Sequence, residues 1–161
     1  MRQTLILLSL CLVLLSCAGP AERQHPDPAQ NQAAMVTIMQ KHLDAVSNQD
    51  LETLASTMSP HGNMQLILPG TEIIDKVEGF MGYHREWFAT TGWTFETKIV
   101  NAKAGPEMGM AIAEVVYREA ERDGKPYFNR MIVSYDLQKI EGHWYIVKDH
   151  ASSVEKSSDT Q

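Results

Sequence analysis

The sequence predicts an α+β fold in which a curved antiparallel sheet wraps around N-terminal helices as a cone. Helical periodicity is confined to the first 88 residues, and from Trp93 onward long segments alternate apolar and polar positions between short turn signals. A first helix is expected over 28–47. Asp27 followed by Pro28 is a cap with proline at the first helical position, and Met35, Ile38, Met39, Leu43 and Val46 follow at helical spacing. Asp50 caps a shorter second helix with Leu51, Leu54, Ala55 and Met58 on its stripe, ended by Ser59 and Pro60. Met64 to Leu68 reads as an apolar strand stopped by Pro69 and Gly70, and Phe80, Tyr83, His84, Trp87 and Phe88 mark a third helix. Trp93, Phe95, Thr97 and Ile99 alternate as a strand, and further strands are expected over 108–119, 127–137 and 143–152. Asp123-Gly124 and Glu141-Gly142 are the turns between the last three; a plain two-residue turn at Asp123-Gly124 sets Tyr117 opposite Arg130 and Glu114 opposite Val133. Such a cone leaves a cavity.

The N-terminus has a different character. Arg2 precedes an apolar run from Leu5 to Leu15, too short for the roughly 20 residues of a spanning helix, and Leu14, Leu15, Ser16 and Cys17 close it. This resembles a bacterial lipoprotein signal, which implies removal of residues 1–16 and lipidation of Cys17. Residues 17–32, with Pro20, Pro26 and Pro28, form the attachment point and tether, residues 33–153 the folded domain and 154–161 a flexible tail. The expected location is the cell envelope, anchored by lipid. Ala18 stands where many inner-membrane lipoproteins carry aspartate, so the outer membrane, facing the periplasm, is the expectation. The two cysteines, Cys11 and Cys17, are both consumed by this arrangement, which leaves no thiol for a disulfide or nucleophile. A formal net charge of −6, more negative once Arg2 is removed, speaks against nucleic acid as a partner.

Three stretches carry a family resemblance: Asn-Gln-Asp-Leu-Glu at 48–52, Val-Glu-Gly-Phe-Met at 77–81 and Gly-His-Trp-Tyr-Ile-Val-Lys-Asp-His-Ala-Ser at 142–152. Together with the element order they resemble the SnoaL-like branch of the nuclear transport factor 2-like (cystatin-like) superfamily over about residues 30–153. The last stretch is the most specific, and it is also similar to the end of the calcium/calmodulin-dependent kinase association domain. The resemblance implies a conical fold, a homodimer formed through the convex sheet face, and a pocket between sheet and helices. Its members include isomerases, dehydratases, epoxide hydrolases and polyketide cyclases that work without metal or cofactor, beside others that only bind or assemble, so the resemblance selects no chemistry.

The site has to be read from polar residues on apolar faces. His84 lies within the stripe of the third helix, where its imidazole is either a satisfied core group or a catalytic one. Asp149 and His150 are adjacent on the last strand, and regular pleating sends them to opposite faces. If Tyr145 and Val147 face inward so does Asp149; if Trp144 and Ile146 do, His150 follows. A carboxylate in an apolar pocket has its pKa raised, which suits proton transfer next to a carbonyl, so Asp149, His150 and His84 are the candidate catalytic residues. Tyr83, Trp87, Phe88, Tyr117, Met131 and Tyr135 are the expected pocket wall. Arg118 and Arg130 are either solvated or anchors for an acidic ligand. His61 forms no chelate spacing with His42 or His84, so neither metal nor cofactor is expected. The favoured reading is a small-molecule binding domain for an apolar or weakly acidic ligand, because no complete set of acid, base and oxyanion donor is legible. A cofactor-free isomerase, dehydratase or cyclase using Asp149 or His150 is the alternative. A ligand-free assembly scaffold, its cavity filled by some of the nine methionines, is the second.

Overall fold

The computed structural model describes residues 27–157. The signal, Cys17 and the tether as far as residue 26 lie outside the described residues, as does the tail from 158. Helix α1 (Pro28–Ser47) begins where the Asp27 carboxylate accepts from the Ala29 amide at 3.1 Å, with Pro28 supplying the first helical φ. It buries Asn31, Met35, Met39, His42, Leu43 and Val46 on one face. Asp50 caps α2 (Leu51–Ser56) through the Thr53 amide at 3.0 Å. Strands β1 (Gln65–Ile67) and β2 (Ile73–Asp75) precede α3 (Lys76–Phe88), whose buried residues Phe80, His84 and Phe88 are spaced by one helical turn. The four long strands are β3 (Trp93–Ala104), β4 (Met108–Arg122), β5 (Lys125–Ile140) and β6 (His143–Lys156). β6 thus runs beyond the expected domain limit at 153. No helix among the described residues is long and apolar enough to cross a membrane.

Among the described residues the strands form one sheet in the order β2-β1-β6-β5-β4-β3, antiparallel except for the parallel pair β1 and β6. Helix α1 packs across its inner face, where Gly109, Ala111 and Ala113 make room. A Cβ built at Gly109 would run into the Met35 sulfur, so any larger residue here forces the Met35 side chain to move. Both predicted hairpin turns are present with left-handed backbone at both central residues: Asp123 and Gly124 at φ 54° and 79°, Glu141 and Gly142 at φ 50° and 86°.

Two bulges correct the expected registers. Arg122 pairs with Lys125 as a two-residue turn requires, but a shift between Glu119 and Arg122 places Tyr117 opposite Asn129 and Glu114 opposite Ile132, each one residue from the expected partner. Asn129, Met131, Val133 and Tyr135 therefore share the inner face, and Arg130 turns outward. On β6 the pairing Leu137 with Ile146 is followed by Asp136 with Lys148, so Val147 is an extra residue. Trp144 and Ile146 face the core before it and Asp149 faces the core after it, so neither uninterrupted register drawn from the sequence holds. The bulge falls where β6 changes neighbours. The Ile146 amide donates to the Thr57 carbonyl at 2.9 Å, and from Lys148 onward the strand pairs with β1.

Candidate functional site

Between α1, α3 and the inner sheet face lies a cavity of about 340 Å³. Leu66, Trp87, Phe95, Met131 and Val133 give it an apolar and aromatic wall, while Asp149, Tyr135, Tyr83 and His84 bring polar groups to it. Asp149 is only 8 % exposed, and its carboxyl is pushed up from 3.8 to about 7 by burial. It has no hydrogen bond or ion pair to any described residue, although buried carboxylates ordinarily carry one. His150, the other base candidate, is exposed on the opposite face.

Two tyrosines lie near Asp149, and His84 lines the same cavity. Tyr135 lies directly across the β5–β6 ladder from it, and burial together with the Asp149 charge raises the phenol well above its ordinary value, so its hydroxyl stays a donor. The Tyr83 phenol is raised by the same causes in the same order, with a smaller contribution from Glu72. His84 accounts for one of its nitrogens within its own helix: Nδ1 lies 2.9 Å from the Phe80 carbonyl, which accepts only, so Nδ1 carries the proton and Nε2 the lone pair. Burial holds its pKa down to about 4, so it is neutral at pH 7.

Of the expected wall residues, Tyr83, Trp87, Tyr117, Met131 and Tyr135 line the cavity. Phe88 does not. It lies behind the wall, its ring edge-on to His84 at 5.5 Å, while Trp87 stacks on Trp93 at 4.6 Å. Arg118 and Arg130 pair with Glu96 and Glu155 on the solvated side. His61 is exposed, and no group of three or more metal-ligating side chains occurs among the described residues.

Sequence reasoning missed two features. One is His42, fully buried and edge-on to the Tyr135 ring at 5.6 Å. The Thr57 hydroxyl donates to the Leu54 carbonyl at 2.7 Å, so His42 Nδ1, 2.9 Å from that hydroxyl oxygen, must be the donor, and Nε2 is left without a partner among the described residues. Burial, and secondarily His84, hold its pKa down to about 3. Its position on the Met35, Met39, Leu43 stripe was the available signal. The other is Arg122, which enters the cavity wall from the β4–β5 hairpin beside Tyr127. Only its place next to Asp123-Gly124 marked it.

The chemistry open to this arrangement is proton transfer. A carboxyl poised near neutrality faces an apolar space, with protonated phenols beside it to receive developing negative charge.

The family model of the SnoaL-like domain matches residues 36–155. No curated protein matches the chain. Among solved structures it is similar to a ketosteroid isomerase-like protein from Erwinia carotovora atroseptica, at 15% identity and TM-score 0.68 over 78% of this chain and 98% of that one. A protein with a cystatin-like fold from Caulobacter vibrioides gives 14% identity and TM-score 0.68 over 78% and 91%. The association domain of C. elegans calcium/calmodulin-dependent kinase II gives 23% and 0.58 over 77% and 95%. At these identities the likeness is one of fold, the nuclear transport factor 2-like or cystatin-like cone.

Proposed function

This chain belongs to the SnoaL-like domain family, and we propose that it binds a small, largely apolar carbonyl compound in its cavity and moves a proton on it through Asp149. The observation that carries this reading is a buried carboxyl with no hydrogen-bond or ion-pair partner among the described residues, facing a cavity and held near pH 7. The ionised carboxylate takes a proton from the carbon next to the carbonyl, and the electron pair moves onto the carbonyl oxygen. The Tyr135 hydroxyl, kept protonated, donates to that oxygen. Return of the proton to another carbon completes an isomerisation, and departure of a β-hydroxyl that takes the proton from Asp149 completes a dehydration. Binding was the reading favoured from sequence. Convergence of Asp149, Tyr135 and Tyr83 at one end of the cavity supports chemistry there as well.

The test is solvent deuterium exchange at the α-carbon of a panel of cyclic and aryl ketones, followed by NMR. Acceleration by the wild type that Asp149→Asn abolishes while His150→Ala keeps it is the expected result. Saturable ketone binding with no exchange above buffer rejects catalysis and leaves a binding domain.

The proposal extends to where the domain works. The residues from Arg2 to Cys17 support lipid attachment at Cys17 and a place in the cell envelope, facing the periplasm. A homodimer through the outer sheet face is supported by the exposed Met108 and Met110 on β4.

A further inference from the structure

The mouth of the cavity holds an arginine fixed along one edge and over one face. Arg122 Nε donates to Glu119 Oε2 at 2.9 Å and an Nη donates to Oε1, forming a fork, and the guanidinium carbon lies 3.5 Å from the centroid of the Tyr127 ring. Glu119 is held in turn by the Tyr117 hydroxyl, which donates to Oε1 at 2.5 Å. Arg122, Tyr117 and Tyr127 line the cavity, whereas Glu119 does not. A guanidinium has five N–H donors, and the pairing through Nε and one Nη uses a single edge. Among the described residues the other edge, formed by the two Nη groups, meets no acidic partner, and it belongs to a side chain that the fork and the ring keep from swinging away.

This cluster lies at the far end of the cavity from Asp149. On β5 the inward residues run from Asn129, beside Tyr117, to Tyr135, opposite Asp149. Six residues of strand span about 20 Å. Met131 and Val133 lie between, so the two polar ends are joined by an apolar channel.

We propose that Arg122 docks the terminal carboxylate of the molecule the cavity takes, which makes that molecule an elongated apolar acid. Its carboxylate lies at the β4–β5 hairpin and its other end reaches Asp149. The assignment of the inner end as the reacting one rests on the proton-transfer reading above. A carboxylate has the planar, two-oxygen shape that matches the free guanidinium edge. Glu119 already offsets the arginine charge, which favours a single negative charge over a phosphate dianion. Glu119 is a positioning residue.

Displacement of Nile red from the purified protein at pH 8 by dodecanoate and by dodecanol separates the carboxylate from the chain that carries it. Dodecanoate is expected to compete at least tenfold better than dodecanol. Arg122→Gln removes that preference while leaving dodecanol unchanged, which also reports an intact cavity. Arg122→Lys, which keeps the charge without the fork, keeps a small part of it. Equal competition by acid and alcohol in the wild type, or an undiminished preference in Arg122→Gln, overturns the inference and leaves the Asp149 chemistry standing. A preference for acid without ketone exchange has the opposite meaning: the anchor stands and the catalysis falls. Displacement by neither compound overturns the inference and leaves the Asp149 chemistry to the ketone-exchange result.

Discussion

Replacing Asp149 by asparagine is expected to stabilise the protein at high pH and to change it little at low pH. The folded carboxyl titrates at about 7 against 3.8 for the ordinary group. Between those values the folded state holds a proton that the unfolded state has released, so the contribution of Asp149 to stability declines as pH rises from about 4 to 7. Roughly three units at about 1.4 kcal/mol each give a cost on the order of 4 kcal/mol at pH 8, an upper value because relaxation and entering water lower it. Asparagine keeps the shape and cannot ionise. Urea unfolding of both proteins from pH 4 to 8 isolates the effect, since the constant cost of the amide and the titration of every other group cancel in the difference. The stability of Asp149→Asn relative to wild type is expected to climb by several kcal/mol across this range. A difference flat to within about 1 kcal/mol would refute the reasoning, because a carboxylate that is solvated in the folded state carries no such penalty.

Other expectations follow from neighbouring features. His42 and His84 have folded pKa values lowered to about 3 and about 4, so unlike Asp149 they cost stability as pH falls below 6.5, where the unfolded chain takes protons that the folded chain refuses. His42→Phe should make the acid limb of the stability curve shallower by about 1.4 kcal/mol per pH unit between pH 6 and 4, and an unchanged slope contradicts its neutral burial. Gly109→Ala forces a methyl against the Met35 sulfur and is expected to cost about 1–3 kcal/mol in urea unfolding, with part recovered in a Met35→Ala background. Recovery of nothing would show that the sheet backbone, and not the Met35 side chain, resists the methyl. Cys17→Ser is expected to move the protein from the membrane to the soluble fraction of the cells that make it, and an unaltered distribution counts against lipid attachment.

The helices and turns were legible because their signals are local. Asp27-Pro28 and Asp50 cap the helices they were read to cap, and Asp123-Gly124 and Glu141-Gly142 adopt the left-handed pairs that hairpins need. Strand β2 escaped notice because three residues carry no period. The inward wall residues of α3 and β5 were readable from spacing, while Phe88 was placed one layer too far forward, since a helical stripe does not say which members front a cavity. The facing of Asp149 was not readable at all. It depends on Val147 standing outside the ladder, and that extra residue answers to the exchange of strand neighbours between Thr57 and β1, a long-range matter. Arg122 escaped for the same reason. The shift between Glu119 and Arg122 keeps Arg130 off the inner face and sets Arg122, opposite Lys125, on the side of Tyr127 and Asn129.

The central claim is that Asp149 is a buried carboxyl, without a partner among the described residues, poised for proton exchange near neutral pH. It is tested most directly by carbon-13 NMR titration of protein labelled at the aspartate carboxyl carbons, with the Asp149 resonance identified by its loss in Asp149→Asn. An inflection near pH 7 is the expected result, and one near the ordinary 3.8 would contradict the account.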